Sequence, residues 1–342
     1  MRFFKLFFIF FFLSSYVFAD KLIVEPDAGR TPLLSAINNA KLSIDLAMYG
    51  FTDESFINAL IQAKHHGKKI NILLEPDPYK SENENARAIR ELRRENIDLY
   101  WPDKKFKLVH QKTFIFDDQT AIVMTFNLTH SSFSRERNFA LLLTDPTEVA
   151  EIKRVFAADC SQKNITVTDP HLLWSPDNSR EKMLKLIESA HSEIKIYAQD
   201  ITDYKMIGAL AKMARNGIDV KILLSISPEK LASKKFSYLK KAGIVIHNSR
   251  HYYIHAKVII VDQKCAVLGS INFTKPSLDD NRELSVLTED GQIVKQLTET
   301  FDKDWQDTDR TSWPTKRLLQ QVNRFYYHAR HTLRGIPLAD EF

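Results

Sequence analysis

Two histidines, two lysines, two hydroxyls and two asparagines recur at fixed spacing in this chain. His110, Lys112 and Asp117 form an HxKxxxxD run that reappears as His255, Lys257 and Asp262, each 145 positions later (255 − 110 = 145). Ten residues past each aspartate stands an asparagine, Asn127 and Asn272, preceded two positions earlier by Thr125 and Ser270. A single HxKxxxxD run arises by chance in roughly a few per hundred chains of this length. Two copies in register, with matching residues downstream, are a duplication.

These residue types suit the splitting of a phosphodiester. Its anionic oxygens repel nucleophiles and its leaving alkoxide is poor, so catalysis needs cations and a proton donor. Lys112 and Lys257 supply compact positive charges for the nonbridging oxygens, with Asn127, Asn272, Thr125 and Ser270 as the hydrogen-bonding groups that hold them. One imidazole, neutral, attacks phosphorus to give a phosphohistidine; the other, protonated, donates to the leaving oxygen and later deprotonates water. Carboxylates are scarce around the motif apart from Asp117 and Asp262, so neither a metal nor another cofactor is expected. An asymmetry separates the two histidines: Glu283 lies 28 residues after His255, and the equivalent position after His110 is Asn138. If each backs the histidine of its own half, Glu283 favours the imidazolium of His255 and Asn138 leaves His110 neutral. His110 is then the nucleophile and His255 the general acid. Glu136 reaching His110 instead would erase the difference.

The elements that must position these groups are also duplicated. Gly67 to Leu74 aligns with Gly217 to Leu224 at an offset of 150, and five residues are lost before the histidines. Helical spacing over Leu33–Ala40 and Met183–Ala190 precedes strands at Ile44–Met48 and Ile194–Ala198. Helices follow at Phe56–His66 and Met206–Asn216, stopped by Gly67 and Gly217, then buried strands at Ile70–Leu74 and Val220–Leu224. The motif itself sits on strands Lys112–Phe116 and Lys257–Val261, where residues two apart share a face. Further strands are expected at Ala121–Met124, Ala266–Leu268, Phe139–Leu143 and Leu284–Leu287. The fold class is α/β: a duplicated sandwich whose two similar halves, 20–165 and 166–305, are related by a pseudo-twofold axis.

The residues now in hand resemble the phospholipase D superfamily, whose signature is HxKxxxxD followed by a Gly-Ser-x-Asn turn. The likeness covers approximately residues 30 to 305. The second copy matches fully as Gly269-Ser270-Ile271-Asn272. The first reads Met124-Thr125-Phe126-Asn127, keeping the hydroxyl but adding bulk where glycine is usual at a tight turn. The resemblance implies one shared metal-free site and reaction through phosphohistidine, with the N-terminal histidine as nucleophile. It also implies an acidic partner for a histidine, a role Glu283 fits and Asn138 does not. Asp117 and Asp262 carry over as motif residues with a structural role.

Residues 1–19 have the grammar of a secretory signal, with Arg2 and Lys5, an apolar run from Leu6 to Leu13, and Val17-Phe18-Ala19 before a cut. A secreted or periplasmic product beginning at Asp20 is expected. Losing Arg2 and Lys5 lowers the formal charge from +5 to +3, too little to imply nucleic acid by itself. Cys160 and Cys265 have no metal-type spacing and read as two buried thiols. Residues 306–342 fall outside the repeat and read as a C-terminal helical extension.

The leading substrate reading is a phospholipid at a membrane surface, hydrolysed at its head group. Export supports it, as do the aromatics Tyr100-Trp101 and His251-Tyr252-Tyr253 near the motifs. A nuclease is the alternative, with Lys104, Lys105, Lys107 and Arg87, Arg90, Arg93, Arg94 as the basic track for a nucleic-acid backbone. Charge runs of this kind are also common as solvated helix faces. Phosphatidyl transfer of the cardiolipin-synthase type, with a lipid alcohol in place of water, and a noncatalytic phosphate-binding module stay open as well. The triplets beginning at Asn127 and Asn272 match the glycosylation pattern, which their place in the site makes coincidental. One chain carries both motifs, so activity as a monomer is expected.

Overall fold

The computed structural model describes residues 19–309 other than 77 and 79–82. Of the expected signal segment 1–19 all but Ala19, and of the expected helical extension 306–342 all but 306–309, lie outside the described residues; Thr308–Asp309 form a short strand and not a helix.

The first half runs β1 (Lys21–Glu25), α1 (Thr31–Asn39), β2 (Ser43–Met48), α2 (Glu54–His65), β3 (Lys69–Leu74), α3 (Ala86–Arg94) and β4 (Asp98–Tyr100). It continues with β5 (Thr113–Phe116), β6 (Thr120–Met124), β7 (Glu136–Leu143) and α4 (Pro146–Cys160). The second half repeats the order: β8 (Leu172–Ser175), α5 (Ser179–Glu188), β9 (Glu193–Ala198), α6 (Tyr204–Arg215), β10 (Asp219–Leu224), α7 (Pro228–Leu231), α8 (Lys234–Lys241) and β11 (Val245–Ser249). Then come β12 (Tyr253–Ile254), β13 (Lys257–Val261), β14 (Cys265–Gly269), α9 (Lys275–Asp279), β15 (Glu283–Thr288), α10 (Gly291–Gln306) and β16 (Thr308–Asp309).

The sheet of the first half is ordered β1-β7-β6-β5-β2-β3-β4, and that of the second β8-β15-β14-β13-β9-β10-β11-β16. In both, the apolar strands read as buried (β2 and β3, β9 and β10) pair in parallel, while the motif strand runs antiparallel to its neighbours. Parallel strands need both faces covered. Helices α1, α2 and α3 cover one sheet through Leu33, Ile37, Phe56, Leu60 and Leu92, and α5, α6 and α8 cover the other through Met183, Ile187, Leu210 and Phe236. Between the sheets lies a third core that both halves share. Val149, Ile152 and Val155 of α4 and Val294, Leu297 and Phe301 of α10 belong to it, with Phe139, Trp174 and Tyr197 from the strands. The duplicated sandwich is therefore layered as helices, sheet, a central helix pair, sheet, helices.

Repeated capping fixes the helices. Asp53 accepts from Ser55 N at the start of α2, and Asp203 from Lys205 N and Met206 N at the start of α6. Such caps are typically worth about 1 kcal/mol each. Two crossed ion pairs join the halves. Arg137, just inside β7, holds Asp304 of α10 through Nε at 2.7 Å and Nη2 at 3.0 Å, and Arg282, just before β15, holds Asp159 of α4 at 2.8 and 2.9 Å. All four side chains are buried. Cys160 and Cys265 are free thiols, half-buried and not fully buried as read from sequence. Among the described residues no helix is long and apolar enough to cross a membrane.

Candidate active site

Both histidines lie just before a central strand, in segments that cross to the opposite half. His110 N donates to Arg282 O at 3.0 Å, and Arg282 N returns to Leu108 O at 2.9 Å. Symmetrically, β12 pairs in parallel with β7, and the amides of His255 and Ala256 donate to Arg137 O at 3.3 and 3.1 Å. Each histidine is thus pinned by the main chain of the half that does not contain it, and the two motifs meet at one site.

The side-chain partners are crossed in the same way, which corrects the pairing expected from sequence. Glu283 does not back His255. Its Oε2 lies 2.8 Å from His110 Nδ1, while Asn138 Oδ1 lies 3.1 Å from His255 Nδ1. The offset of 145 identifies equivalent residues, but the twofold axis passes between each histidine and its own half's support, so the partner comes from across it. Nor does Glu136 reach His110. It stands behind Asn138, accepting from Asn138 Nδ2 at 3.1 Å, with its Oε2 3.8 Å from His255 Nδ1. On the other side Asn281 Nδ2 donates to Glu283 Oε1 at 3.0 Å. One histidine therefore touches a carboxylate steadied by an amide; the other touches an amide steadied by a carboxylate.

The lysines are buried and turned back on their own motifs. Lys112 Nζ donates to His110 O and lies 5.0 Å from the centre of the Tyr49 ring, which packs edge-on against His110 at 4.7 Å. Lys257 Nζ donates to His255 O at 2.6 Å and to Thr125 O at 3.2 Å, within 3.4 Å of the His255 ring. Burial in this cationic cluster favours uncharged forms. Desolvation, with Lys112 assisting and Glu283 opposing, lowers His110 to about 4. Desolvation, then Lys257 and Lys112, holds His255 well below the usual imidazole range. Desolvation lowers Lys257 to about 7 and Lys112 well below its normal value, with Lys257 adding to the effect on Lys112. An anion arriving at the site would supply the missing counter-charge.

Other residues singled out from the sequence have supporting places. Thr125 and Ser270 are fully buried and bond to the neighbouring strand. Thr125 Oγ1 donates to Asn138 Oδ1 and accepts from Phe139 N, both at 2.9 Å; Ser270 Oγ donates to Leu284 O at 3.3 Å and accepts from Leu284 N at 3.2 Å. Of the phosphate-binding and supporting roles open to them, these bonds place both hydroxyls in the supporting one. Asn127 Oδ1 accepts from Gly50 N at 3.3 Å, whereas the buried Asn272 Oδ1 meets no donor. Asp117 and Asp262 sit in the hairpins after β5 and β13 with φ of 55° and 52°. Asp117 accepts from the amides of Lys41, Leu42 and Ser43, and Asp262 from those of His191, Ser192 and Glu193. Against desolvation, these bonds hold both carboxyls below their usual range.

The contrast between Gly269 and Met124 also has a geometric cause. A Cβ at Gly269, whose φ is 158°, would stand 2.4 Å from Leu284 O and Ser285 Cα. Met124 ends β6 opposite Ala140 with its side chain buried in the first half's core. Its bulk goes to packing and not into a tight turn.

Sequence reasoning passed over Arg137, Arg282, Asn281 and Tyr49. The signal was present: the triplet Glu-Arg-Asn at 136–138 is inverted to Asn-Arg-Glu at 281–283, at the same offset of 145 as the motifs. The basic run at Arg87–Arg94 is the face of α3, where Arg87 pairs with Glu54 and Glu91 and Arg93 stacks on Trp101. Tyr252 likewise covers the Arg137 guanidinium at 4.3 Å.

Comparison with known proteins agrees with this geometry. A family model described as "Cardiolipin synthase, PLD-like domain" matches residues 33–160 and 183–305. The major cardiolipin synthase ClsA of Bacillus subtilis (strain 168) is 26% identical over 318 residues, covering 80% of this chain and 66% of the relative. A mitochondrial cardiolipin hydrolase of Mus musculus is 26% identical over 145 residues, covering 42% of this chain and 66% of the relative. The chain thus spans just under two thirds of the length of these two relatives. Among solved structures, a phosphatidylserine synthase of Haemophilus influenzae Rd KW20 superposes with a TM-score of 0.65 at 14% identity, over 91% of this chain and 93% of the other. At that identity the likeness is one of fold.

Proposed function

Since this chain belongs to the phospholipase D superfamily, in the family of cardiolipin synthase PLD-like domains, we propose that it exchanges phospholipid phosphodiesters through a phosphohistidine on His110. The observation that carries the reading is the unequal support of two convergent histidines, Glu283 on His110 and Asn138 on His255. His110 donates its Nδ1 proton to Glu283, which leaves the Nε2 lone pair for phosphorus and offsets the positive charge that grows on the ring as the P–N bond forms. His255 donates Nδ1–H to Asn138 and gives the leaving alkoxide a proton from Nε2, which the ring takes up once the phosphodiester anion offsets the lysines that hold it neutral in the empty site. Lys112 and Lys257 neutralise the nonbridging oxygens as charge builds there. In the second step His255 takes a proton from the incoming hydroxyl, whose oxygen attacks phosphorus and releases His110. With the carboxylate on His110 and not on His255, the pairing argument made from sequence is overturned, and His110 as nucleophile rests on the charge that Glu283 offsets in the phosphorylated ring.

The incoming hydroxyl decides between transfer and hydrolysis. A relative aligned over 80% of this chain is a synthase, and we take the acceptor to be a second lipid's hydroxyl, giving phosphatidyl transfer. This displaces head-group hydrolysis as the leading reading. Hydrolysis is the second reading, favoured by the hydrolase that aligns over 42% of the chain. The membrane-facing, exported setting inferred from residues 1–19 belongs to the same proposal.

The test is product analysis with phosphatidylglycerol vesicles in EDTA, beside single- and double-stranded DNA, with His110→Ala as control. Cardiolipin and free glycerol, lost in His110→Ala, are the expected products. Phosphatidic acid without cardiolipin would move the assignment to hydrolysis. DNA cleavage without lipid turnover would overturn the lipid reading.

A further inference from the structure

Glu148, Asp169 and His171 lie on the connector side of the molecule, outside the paired motifs. Glu148 is in the first turn of α4 and only 7% exposed. One of its carboxylate oxygens, Oε1, is 3.1 Å from His171 Nδ1; the other, Oε2, is buried with no hydrogen-bond partner. Asp169 Oδ1 accepts from the amides of His171 and Leu172 at 2.8 and 3.2 Å, which folds the connector around its carboxylate. One ligand-type atom from each of the three residues lies within 4.8 Å of the others. Asp20 and Asp145 add negative charge nearby.

A buried carboxylate oxygen normally has a donor. The positive end of α4 cannot supply one, because Asp145 already accepts from Thr147 N and Glu148 N. A cation shared with Asp169 and His171 would answer Oε2. We infer a divalent-cation site built from Glu148, Asp169 and His171, joining the first half to the segment that leads into β8. One imidazole nitrogen with two carboxylates suits zinc or manganese, whereas calcium prefers six to eight oxygens. Zinc ligands sit about 2.0–2.2 Å from the metal, so the three groups need only small movements to close on an ion. Such an ion would tie α4 to residues 169–171 and act on stability, not on phosphoryl chemistry.

The test uses the full chain, stripped with EDTA and dialysed, then titrated with ZnCl2 or MnCl2 by calorimetry at neutral pH. About one equivalent is expected, with the Tm raised by roughly 5 °C at a hundredfold excess over Kd. His171→Ala and Asp169→Asn should each weaken binding by at least about tenfold and remove the Tm gain. His171 is half exposed, so its removal leaves the core intact. His110→Ala should bind as the wild type does, and phosphodiester turnover should survive EDTA below the Tm. No saturable binding, or binding retained in His171→Ala, would overturn the site and leave Glu148 and His171 as a simple hydrogen-bonded pair.

Discussion

Replacing Glu283 with glutamine isolates the charge that distinguishes the two histidines. Glu283 is fully buried, 2.8 Å from His110 Nδ1 and steadied by Asn281. Glutamine keeps its volume and an acceptor for the Nδ1 proton, so the imidazole keeps its tautomer and orientation. Only the negative charge goes. With charge centres about 4 Å apart and an effective dielectric of about 20, the lost attraction to a phosphorylated imidazole is about 4 kcal/mol. Partial charge transfer in the transition state reduces that, so kcat should fall by about 10²- to 10³-fold with little change in KM. Rapid-quench mass spectrometry should find less phosphohistidine, all on His110. A correctly folded Glu283→Gln protein with kcat within about threefold of wild type, or label on His255, would refute the assignment.

The remaining predictions concern charge burial and packing. With desolvation lowering His110 to about 4, Lys257 to about 7 and His255 well below the usual imidazole range, kcat/KM should rise through pH 4 and be lost by pH 7 as His255 and then Lys257 lose their protons. His110 titrates lower folded than unfolded, so its stability contribution is full above about pH 6.5. It is lost towards pH 4, costing up to about 3 kcal/mol in denaturant titrations at successive pH values. Lys257→Met should abolish turnover yet raise stability at pH 7 by about 2 kcal/mol, since it removes an ammonium that burial disfavours. Asp159→Ala leaves the buried Arg282 with only the partly exposed Asp177 as a carboxylate partner and should cost about 3 kcal/mol by chemical denaturation. Gly269→Ala should destabilise by about 2 kcal/mol or more, because the new Cβ meets backbone of β15 at 2.4 Å.

The order of elements was legible because duplication lets each half check the other. Ile44–Met48 alone is a short apolar run, but its match to Ile194–Ala198 at one offset fixes both as the same strand. The structural role of Asp117 and Asp262 came with the family resemblance, and in the structure both sit in the hairpin after a motif strand. What spacing could not convey was which half faces which. An offset states that Asn138 and Glu283 are equivalent, and equivalence was taken for proximity; the axis between the halves exchanges their partners. That the hydroxyls act as supports was hidden for a related reason. Thr125 and Ser270 sit at strand ends where the next strand presents an amide and a carbonyl or carboxamide, so they are consumed before any substrate arrives.

The inverted triplet explains how a duplicated protein acquires an unsymmetrical reaction. Two identical halves would give both histidines one environment, yet the first chemical step needs a neutral nucleophile and a charged acid. Exchanging Glu and Asn between positions 136 and 138 in one copy relative to 281 and 283 in the other leaves each support with one carboxylate, one amide and one arginine. The buried charge of each half is unchanged, and Arg137 and Arg282 keep their equivalent ties to Asp304 and Asp159. What changes is distance: 2.8 Å from carboxylate to imidazole on the His110 side and 3.8 Å on the His255 side, with an amide between. Under the proposed mechanism the closer carboxylate is matched to the ring that would carry lasting positive charge as a phosphohistidine. The more distant one leaves His255 free to gain and lose its proton within a single turnover.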